Sequence, residues 1–391
     1  FIFLLILYHE ISNSSIYLSI MVGCYYASWS INRPVAGLFG VDDLPVNQCT
    51  HIMYTFYTMT ATGDITAPEE ASLTDESTSK SSKITNFLNL KKSNSDVKLL
   101  ISVGGWTGSE NFSTVVNDDT ARANFVANVV TLLNHKGFDG LDMEWDYPGL
   151  RGGKDTDKAQ FVVLLKELKE ALGDKYLLTT AVAVTQDYID AGYDVSGLAE
   201  YLDYIFIQTY EYHGTWDSVT GANAPTYAQT TDDETTDLNV NSSIAVWINN
   251  GAPPSKLVLG LASFAKTFTL TDANNTDTGA STSGAGKAGP YTEEAGVLGY
   301  FEVCEYIQND TSSWTVVEET DNYVYAFNGL QWFGYDNENT IRAKVRPYFA
   351  NHWGLAGVFF WSIDQDDFAG KCGSAYPLLT SAISGFKSST E

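Results

Sequence analysis

The chain has few basic residues and little charge of either sign. Lys and Arg number 22 against 48 Asp and Glu in 391 residues, which leaves a formal net charge of −26. Such a molecule repels phosphate backbones and anionic lipid surfaces, so we expect neither nucleic acid nor a membrane as a partner. Charged residues make up only 18% of the chain and hydrophobic residues 44%. This composition excludes disorder and coiled coil and allows one large domain or two ordinary ones.

Long apolar runs are also missing. No run reaches the roughly 18 residues of a transmembrane helix. The apolar start, residues 1–7, is shorter still and follows no initiator Met. Two explanations stay open: a remnant of a secretory signal within residues 1–20, or a truncated or misassigned start of the chain.

Cysteine is scarce, with four residues and no C-x-x-C spacing. This number and spacing favour two disulfides over zinc or redox chemistry. Of the three possible connectivities we favour Cys24–Cys49 with Cys304–Cys372, because each pair would join neighbouring segments of the barrel that the strand pattern below predicts. Five N-x-S/T sequons also fit a secreted, extracellular glycoprotein; they begin at Asn13, Asn111, Asn241, Asn274 and Asn309.

Aromatic residues are abundant by contrast, with 23 Tyr, 20 Phe and 9 Trp, or 13% of the chain. Aromatic rings on an acidic surface suit neutral ligands with flat apolar faces. The composition therefore favours a carbohydrate partner.

Eight short runs rich in β-branched and aromatic residues recur along the chain. They cover residues 22–26, 51–56, 98–103, 140–145, 177–184, 204–209, 257–264 and 357–363. Segments with helical periodicity lie between several of them, including 121–134, 157–172 and 240–248. Eight strand–helix units predict an α/β fold, the (β/α)8 TIM barrel. An open doubly wound sheet is the alternative, but no G-x-G-x-x-G follows the first strand.

The gap between the seventh and eighth runs is about twice the others. It combines a Gly-, Ser- and Thr-rich stretch at 279–289 with aromatic alternation over 323–332. We expect an inserted α+β subdomain at 267–338, within a barrel domain of 21–386 that a tail of 387–391 follows.

The stretch GFDGLDMEWDYPG, residues 137–149, concentrates acidic residues in apolar surroundings. Alternate residues of a strand share a face, so Asp142, Glu144 and Asp146 point one way and Met143 and Trp145 the other. Three carboxyl groups within a few Å cannot all stay ionised. At least one should hold a proton near neutral pH, as an acid catalyst needs. A solvated acidic edge is the alternative, which the flanking apolar residues disfavour.

At this stretch the sequence resembles glycoside hydrolase family 18, the chitinases and chitinase-like lectins, whose signature is D-G-x-D-x-D-x-E on the fourth barrel strand. Further matching segments are QCTHIMYTF (48–56), SVGGW (102–106), DAGYDV (190–195), QTYEYHGTW (208–216), GPYTEEAGVLGYFEVC (289–304), GYD (334–336) and FWSIDQDDFAG (360–370). The resemblance extends over about residues 21–386. It implies the same barrel and the same two disulfides.

The resemblance implies a retaining mechanism in which the substrate's 2-acetamido oxygen attacks the anomeric carbon while the signature Glu protonates the leaving oxygen. It implies no cofactor, and no histidine spacing here suggests a metal. The family's catalytic positions fall on Asp139, Asp142, Glu144, Asp146 and Tyr210. Its substrate-binding positions fall on Tyr25, Trp29, Phe56, Gly105, Trp106, Gln208, Glu211, Trp216, Phe264, Lys266 and Trp361, the last as the floor beneath the cleaved sugar.

Two acidic residues of the signature are exchanged. Glu144 stands where the family has the orienting Asp, and Asp146 stands where it has the catalytic Glu. A carboxyl group shortened by one methylene withdraws by about 1.5 Å, and general acid catalysis needs contact at about 3 Å. Misplacement by ~1 Å can cost around a hundredfold in rate. Polar sugar contacts change too, because Glu211, Phe264 and Lys266 replace the family's Asp, Tyr and Arg.

We therefore expect a monomeric protein that binds chitin or N-acetylglucosamine oligosaccharides and whose hydrolysis of β-1,4 linkages is weakened or lost. One alternative is an active retaining chitinase with Asp146 as the general acid. A second is a non-enzymatic signalling or structural relative.

Overall fold

The computed structural model describes residues 20–75, 77–229, 237–350 and 353–387, without the side chains of 347–350 and 387. The predicted signal remnant, apart from residue 20, lies outside the described residues, as do the sequon at Asn13 and residues 388–391 of the tail.

Eight parallel strands close into a barrel. They are β1 (Met21–Ala27), β2 (His51–Met59), β4 (Lys98–Gly104), β5 (Gly140–Glu144), β6 (Leu177–Val182), β7 (Tyr204–Ile207), β8 (Leu257–Ala262) and β15 (Gly357–Trp361). The short strand β3 (Ile65–Thr66) pairs with β2 outside the barrel. The order is β1, β15, β8, β7, β6, β5, β4, β2, and β2 pairs back with β1. The predicted (β/α)8 barrel is confirmed, and the eight predicted runs overlap these strands.

Helices follow the strands around the barrel. They are α1 (Ile84–Asn89), α2 (Gly105–Gly108), α3 (Phe112–Val116), α4 (Asp119–Lys136), α5 (Asp157–Leu172), α6 (Gln186–Gly192), α7 (Val195–Tyr201), α8 (Val240–Asn249), α9 (Tyr300–Asn309), α10 (Glu338–Ala350) and α11 (Pro377–Lys387). In α5, Phe161, Leu165, Leu168 and Leu172 recur at helical spacing and are buried, as expected of a helix with one face on the core. No helix within the described ranges is both long and apolar enough to cross a bilayer.

Two buried layers result from the alternation of side chains along the barrel strands. Outward-pointing residues pack with the helices in one extended core. Inward-pointing residues fill the barrel, including Tyr25, Met53, Leu100, Phe206 and Phe359. The polar side chains of β5 that point into the barrel therefore lie against a packed apolar core.

A second, antiparallel sheet lies between β8 and β15 in the chain. Its strands are β9 (Phe264–Leu270), β10 (Thr282–Ala285), β11 (Val297–Gly299), β12 (Thr315–Glu319), β13 (Tyr323–Asn328) and β14 (Gln331–Tyr335). The order is β10, β9, β14, β13, β12, with β11 also on β9. The sequence predicted an insertion over 267–338; the sheet itself begins at Phe264.

Both predicted disulfides are confirmed. Cys24 of β1 is bonded to Cys49, just before β2, and Cys304 of α9 is bonded to Cys372, before α11. The second bond links the inserted segment to the chain that follows β15.

Candidate active site

Asp142 lies inside the barrel at the centre of three neighbouring strands. The strand register places Ser102 and Thr179 beside it, and their hydroxyl groups donate to its carboxylate at 2.7 and 2.6 Å. The Tyr25 hydroxyl donates at 2.9 Å. Complete burial raises the pKa of Asp142, while these three hydrogen bonds favour the ionised form and lower it.

Glu144, at the end of β5, is 4% exposed. Its Oε1 accepts from Gln208 Nε2 at 3.3 Å, and its Oε2 is buried without a partner among the described residues. Burial raises its pKa well above the usual value, and the neighbouring charges of Asp146 and Asp142 raise it further. Both effects favour the protonated form of Glu144.

Asp146 follows the strand, and its main chain is held on both sides. Its N–H donates to Ser109 Oγ at 2.9 Å, and its carbonyl accepts from Arg151 Nη1 at 2.7 Å. Its Oδ1 is buried with no partner in the described ranges. Burial raises the pKa of Asp146 to about 7, although the Arg151 charge lowers it. The carboxyl group therefore keeps a proton close to neutral pH.

Asp139, the remaining signature carboxylate, does not join this cluster. It precedes β5, where it forms an ion pair with Lys91 Nζ at 2.7 Å and accepts from the Leu99 N–H at 2.7 Å. Glu144 is five residue steps further along the chain, or about 16 Å at 3.3 Å per residue. The structure thus places Asp139 at the opposite barrel end, where it joins β5 to β4 and contacts neither Glu144 nor Asp146.

Tyr210 stands over the acidic group from the end of β7. Burial raises its pKa well above the usual value, and the charge of Glu144 adds to the effect, so the phenol keeps its proton and remains a hydrogen-bond donor. Its ring meets the edge of Phe264, with centroids 5.7 Å apart. Phe264 belongs to β9 and not to the seventh barrel strand, because the Ser263 carbonyl turns away to accept from the Tyr300 N–H.

Stacked aromatic rings form the floor beside the carboxylates. Phe56, Trp29 and Trp361 form a triangle of contacting rings, in which the Phe56 centroid lies 5.9 Å from that of Trp29 and 5.6 Å from that of Trp361, with planes within 25° of parallel, and the two tryptophan centroids lie 6.3 Å apart. Tyr25 meets Trp361 edge-on at 5.5 Å. Gly105 has a φ of +76°, and a Cβ there would lie 2.5 Å from the Phe56 ring. Only glycine therefore lets the chain pass this close to the stack.

Two further tryptophans among the residues assigned to substrate binding are strongly exposed. Trp106 and Trp216 are each 61% exposed, and each carries a cation on one face. The Arg151 guanidinium lies 3.7 Å from the Trp106 ring centroid, and Lys266 Nζ lies 5.3 Å from that of Trp216. Lys266 also pairs with Glu211 at 2.6 Å. A cavity of about 380 Å³ opens here, lined in part by Trp29, Glu211, Phe264, Lys266 and Trp361.

Four contact residues escaped prediction from the sequence. Ser102 and Thr179 donate hydrogen bonds to the Asp142 carboxylate, while Ser109 and Arg151 form hydrogen bonds with the main chain of Asp146. Ser102 lies within the SVGGW motif, which was a usable signal. The roles of the other three depend on strand register and loop path, which the sequence pattern does not specify.

Within the part of the chain that the structure describes, the close group of potential metal ligands lies away from the carboxylates of β5. The group of three that the described residues bring together is Cys304, Asp367 and Cys372. The disulfide occupies both sulfurs, and Asp367 accepts from the Cys372 N–H at 2.8 Å.

Comparison with known proteins identifies clear relatives. The chain is 35% identical over 369 residues to the endochitinase of Manduca sexta and 38% identical over 368 residues to probable chitinase 2 of Drosophila melanogaster. These matches cover 91% and 90% of this chain, but the chain spans only 65% and 73% of those two proteins.

Solved structures share the fold. The Ostrinia furnacalis Group IV chitinase in complex with allosamidin is 37% identical with a TM-score of 0.89, covering 95% of this chain and 99% of that one. Human YKL-39, described as a pseudo-chitinase with retained chitooligosaccharide binding properties, is 32% identical with a TM-score of 0.84, covering 94% and 100%. The profile of Glycosyl hydrolases family 18 matches residues 21–366, and the chain therefore belongs to this family.

Proposed function

We propose that this protein is secreted and binds chitin or N-acetylglucosamine oligosaccharides in the aromatic groove, and that the exchange of Glu144 and Asp146 weakens or abolishes hydrolysis. The relatives include both a chitinase and a pseudo-chitinase that retains oligosaccharide binding. The two disulfides support secretion, because they persist in oxidising compartments.

The observation that carries the proposal is the fixed main chain of Asp146. The Asp146 N–H donates a hydrogen bond to Ser109, and the Asp146 carbonyl accepts one from Arg151, so the backbone is held at both ends of the residue. These hydrogen bonds oppose a shift of the backbone that would restore the roughly 1.5 Å of reach that one methylene supplies. A proton donor that stops short of about 3 Å from the glycosidic oxygen loses most of its effect.

The longer Glu144 side chain reinforces the defect. Its Oε1 is engaged by Gln208 and its Oε2 has no partner among the described residues, so its carboxyl group occupies space beside Asp142 and Asp146. An acetamido group that must be oriented for ring closure meets a displaced carboxyl group there. The groove floor of Phe56 and Trp361 is independent of this exchange, so binding is retained.

The decisive experiment restores the family's order with Glu144→Asp and Asp146→Glu in one chain. Turnover of a fluorogenic chitotriose substrate should rise by at least ~100-fold over the parent, since a misplacement of ~1 Å is removed. Chito-oligosaccharide affinity, measured by calorimetry, should stay within about threefold in both proteins and serves as the control for an intact groove. Equal turnover in parent and revertant would contradict the proposal, as would rapid hydrolysis by the parent.

A second candidate function is an active retaining chitinase with Asp146 as the acid. The raised pKa of Asp146, about 7, favours it, because the carboxyl group carries a transferable proton near neutrality. Under this alternative the parent hydrolyses the substrate well, Asp146→Asn abolishes the activity, and the double reversion brings no gain.

A further inference from the structure

A second cavity lies between the antiparallel sheet and α9. Its volume is about 400 Å³, within the roughly 300–1,000 Å³ typical of small-molecule sites. Among the described residues it shares no lining side chain with the cavity of the barrel groove. It is therefore a separate place for a ligand.

The lining of this cavity combines aromatic rings with amides. Tyr306, Trp314 and Phe333 supply the rings, and the centroids of Trp314 and Phe333 lie 4.7 Å apart. Trp314 is half-buried, so part of its ring remains accessible. Asn309, Asn328 and Gln331 add amide groups. The charged residues Lys287 and Asp310 also line it. Flat apolar surface next to hydrogen-bond donors and acceptors suits a pyranose ring with an acetamido group.

Asn309 has a second property, because it begins the sequon N-D-T at residues 309–311. It is the last residue of α9, and its side chain is exposed. Asn111, by contrast, is half-buried and donates to the Met59 carbonyl at 2.9 Å, whereas Asn274 is exposed but lines neither cavity, and its amide donates to Asp272 at 3.0 Å. Asn309 is therefore both the first residue of an accessible sequon and part of the lining of a cavity whose chemistry suits a sugar.

We propose that Asn309 carries an N-linked glycan whose first N-acetylglucosamine residues occupy this cavity. In the transfer, a bond forms between Asn309 Nδ2 and the anomeric carbon of the sugar, and that carbon's bond to the pyrophosphate of a lipid-linked oligosaccharide breaks. The amide proton leaves with the pyrophosphate. Because Asn309 itself lines the cavity, the attached sugar starts at its rim and needs no linker to reach Trp314. This assignment is independent of catalysis in the barrel.

The test begins with protein secreted from a eukaryotic host. Peptide mass spectrometry should find Asn309 occupied. Peptide N-glycosidase should then release this glycan from native Trp314→Ala about 10-fold faster than from the native parent, because a stacked, buried sugar is protected. Release from the two unfolded proteins should be equally fast.

Further variants guard against a folding defect. Asn328→Ala removes one amide from the lining and keeps the ring contacts, and it should also speed release. Leu330→Ala, an exposed residue outside the lining, is the matched control and should not. An unmodified Asn309, or equal release rates from the parent, Trp314→Ala and Asn328→Ala, would overturn the proposal.

A free saccharide is the competing occupant of the cavity. It is tested with an Asn309→Gln, Trp361→Ala double variant, in which the sequon is removed and the groove floor is truncated. Calorimetric titration with chitobiose should detect no binding that depends on Trp314. Binding that a further Trp314→Ala change abolishes would assign the cavity to free oligosaccharides and overturn the glycan assignment.

Discussion

Single residues decide the electrostatics of the groove. Burial raises the pKa values of Asp142, Glu144 and Asp146, and only Asp142 has three hydrogen-bond donors to offset this effect. Burial therefore favours protonation most strongly, with fewer offsetting donors, at Glu144 and Asp146, the two exchanged residues. Both side chains are buried carboxylic acids, so they differ mainly in length, by one methylene, and less in acidity.

The pH dependence of stability should report the Asp146 proton. Its pKa is about 7 in the folded protein against an ordinary 3.8, so between these values the folded state binds more protons than the unfolded state. The free energy of unfolding should therefore fall as pH rises from about 4 to about 7. Asp146→Asn should make this fall shallower in urea denaturation measured across that range.

Asp75→Asn is the control for this pH experiment. Hydrogen bonds from Ser77 and Thr78 lower the pKa of Asp75 below 3.8, so it does not titrate in the range. Its replacement should leave the slope unchanged. An unchanged slope in Asp146→Asn as well would mean that Asp146 is already ionised.

Trp361 is the residue on which oligosaccharide affinity should depend most. Trp361→Ala removes one ring of the cluster with Phe56 and Trp29 and should weaken chito-oligosaccharide binding by about 1–3 kcal/mol, or about 5- to 150-fold. Calorimetry measures the change, with the exposed Leu330→Ala as the control. Unaltered affinity would reject Trp361 as the floor of the site.

At the scale of elements, a buried ion pair connects the second sheet to α10. Asp336 follows β14 and pairs with Lys344 on α10, and their side chains are 2% and 1% exposed. The Thr340 hydroxyl donates to the same carboxylate oxygen at 2.8 Å. The pair therefore fixes where the chain leaves the inserted sheet and returns to the barrel.

Breaking this pair on one side should be costly. Lys344→Met leaves the Asp336 carboxylate buried without its cation and should lower the free energy of unfolding by about 3–5 kcal/mol. The double variant Asp336→Leu, Lys344→Met should lose much less, because neither charge remains. Urea denaturation distinguishes the two. Equal losses would show that side-chain packing and not charge stabilises this junction.

At the scale of the whole molecule, the inserted sheet is tied to the barrel by covalent and non-covalent links. The Cys304–Cys372 bond joins residues 68 positions apart, across β12 to β15. Between these cysteines the chain completes the second sheet and returns as the last barrel strand. A cross-link over so long a segment strongly restricts the unfolded chain.

Removal of this disulfide should destabilise the whole barrel. Cys304→Ala with Cys372→Ala should lower the free energy of unfolding by about 2–5 kcal/mol, chiefly by releasing the unfolded chain. Chemical denaturation of the oxidised parent and the variant measures the difference. A reductant should lower the parent's stability and leave that of a variant also lacking Cys24 and Cys49 unaffected. A variant as stable as the parent would contradict the prediction.

Local sequence signals were sufficient for the barrel and for the direction of its acidic side chains. Strand periodicity sets which residues share a face, so Asp142 and Glu144 were expected together from the sequence alone. The rule failed at the end of one strand: the predicted run 257–264 includes Phe264, which begins β9 of the second sheet, because periodicity does not say where a strand stops. Asp139 was assigned from the family resemblance and not from periodicity; it precedes β5 and pairs with Lys91.

The order of residues by itself determined the eight strands, the exchanged carboxylates and four cysteines that pair in two bonds, since each depends on spacing along the chain. Only the tertiary structure decided which donors surround Asp142, that Ser109 and Arg151 hold the backbone of Asp146, and that Asn309 opens onto an aromatic cavity. These contacts join segments from tens of residues apart, and their geometry is set by strand register and loop path.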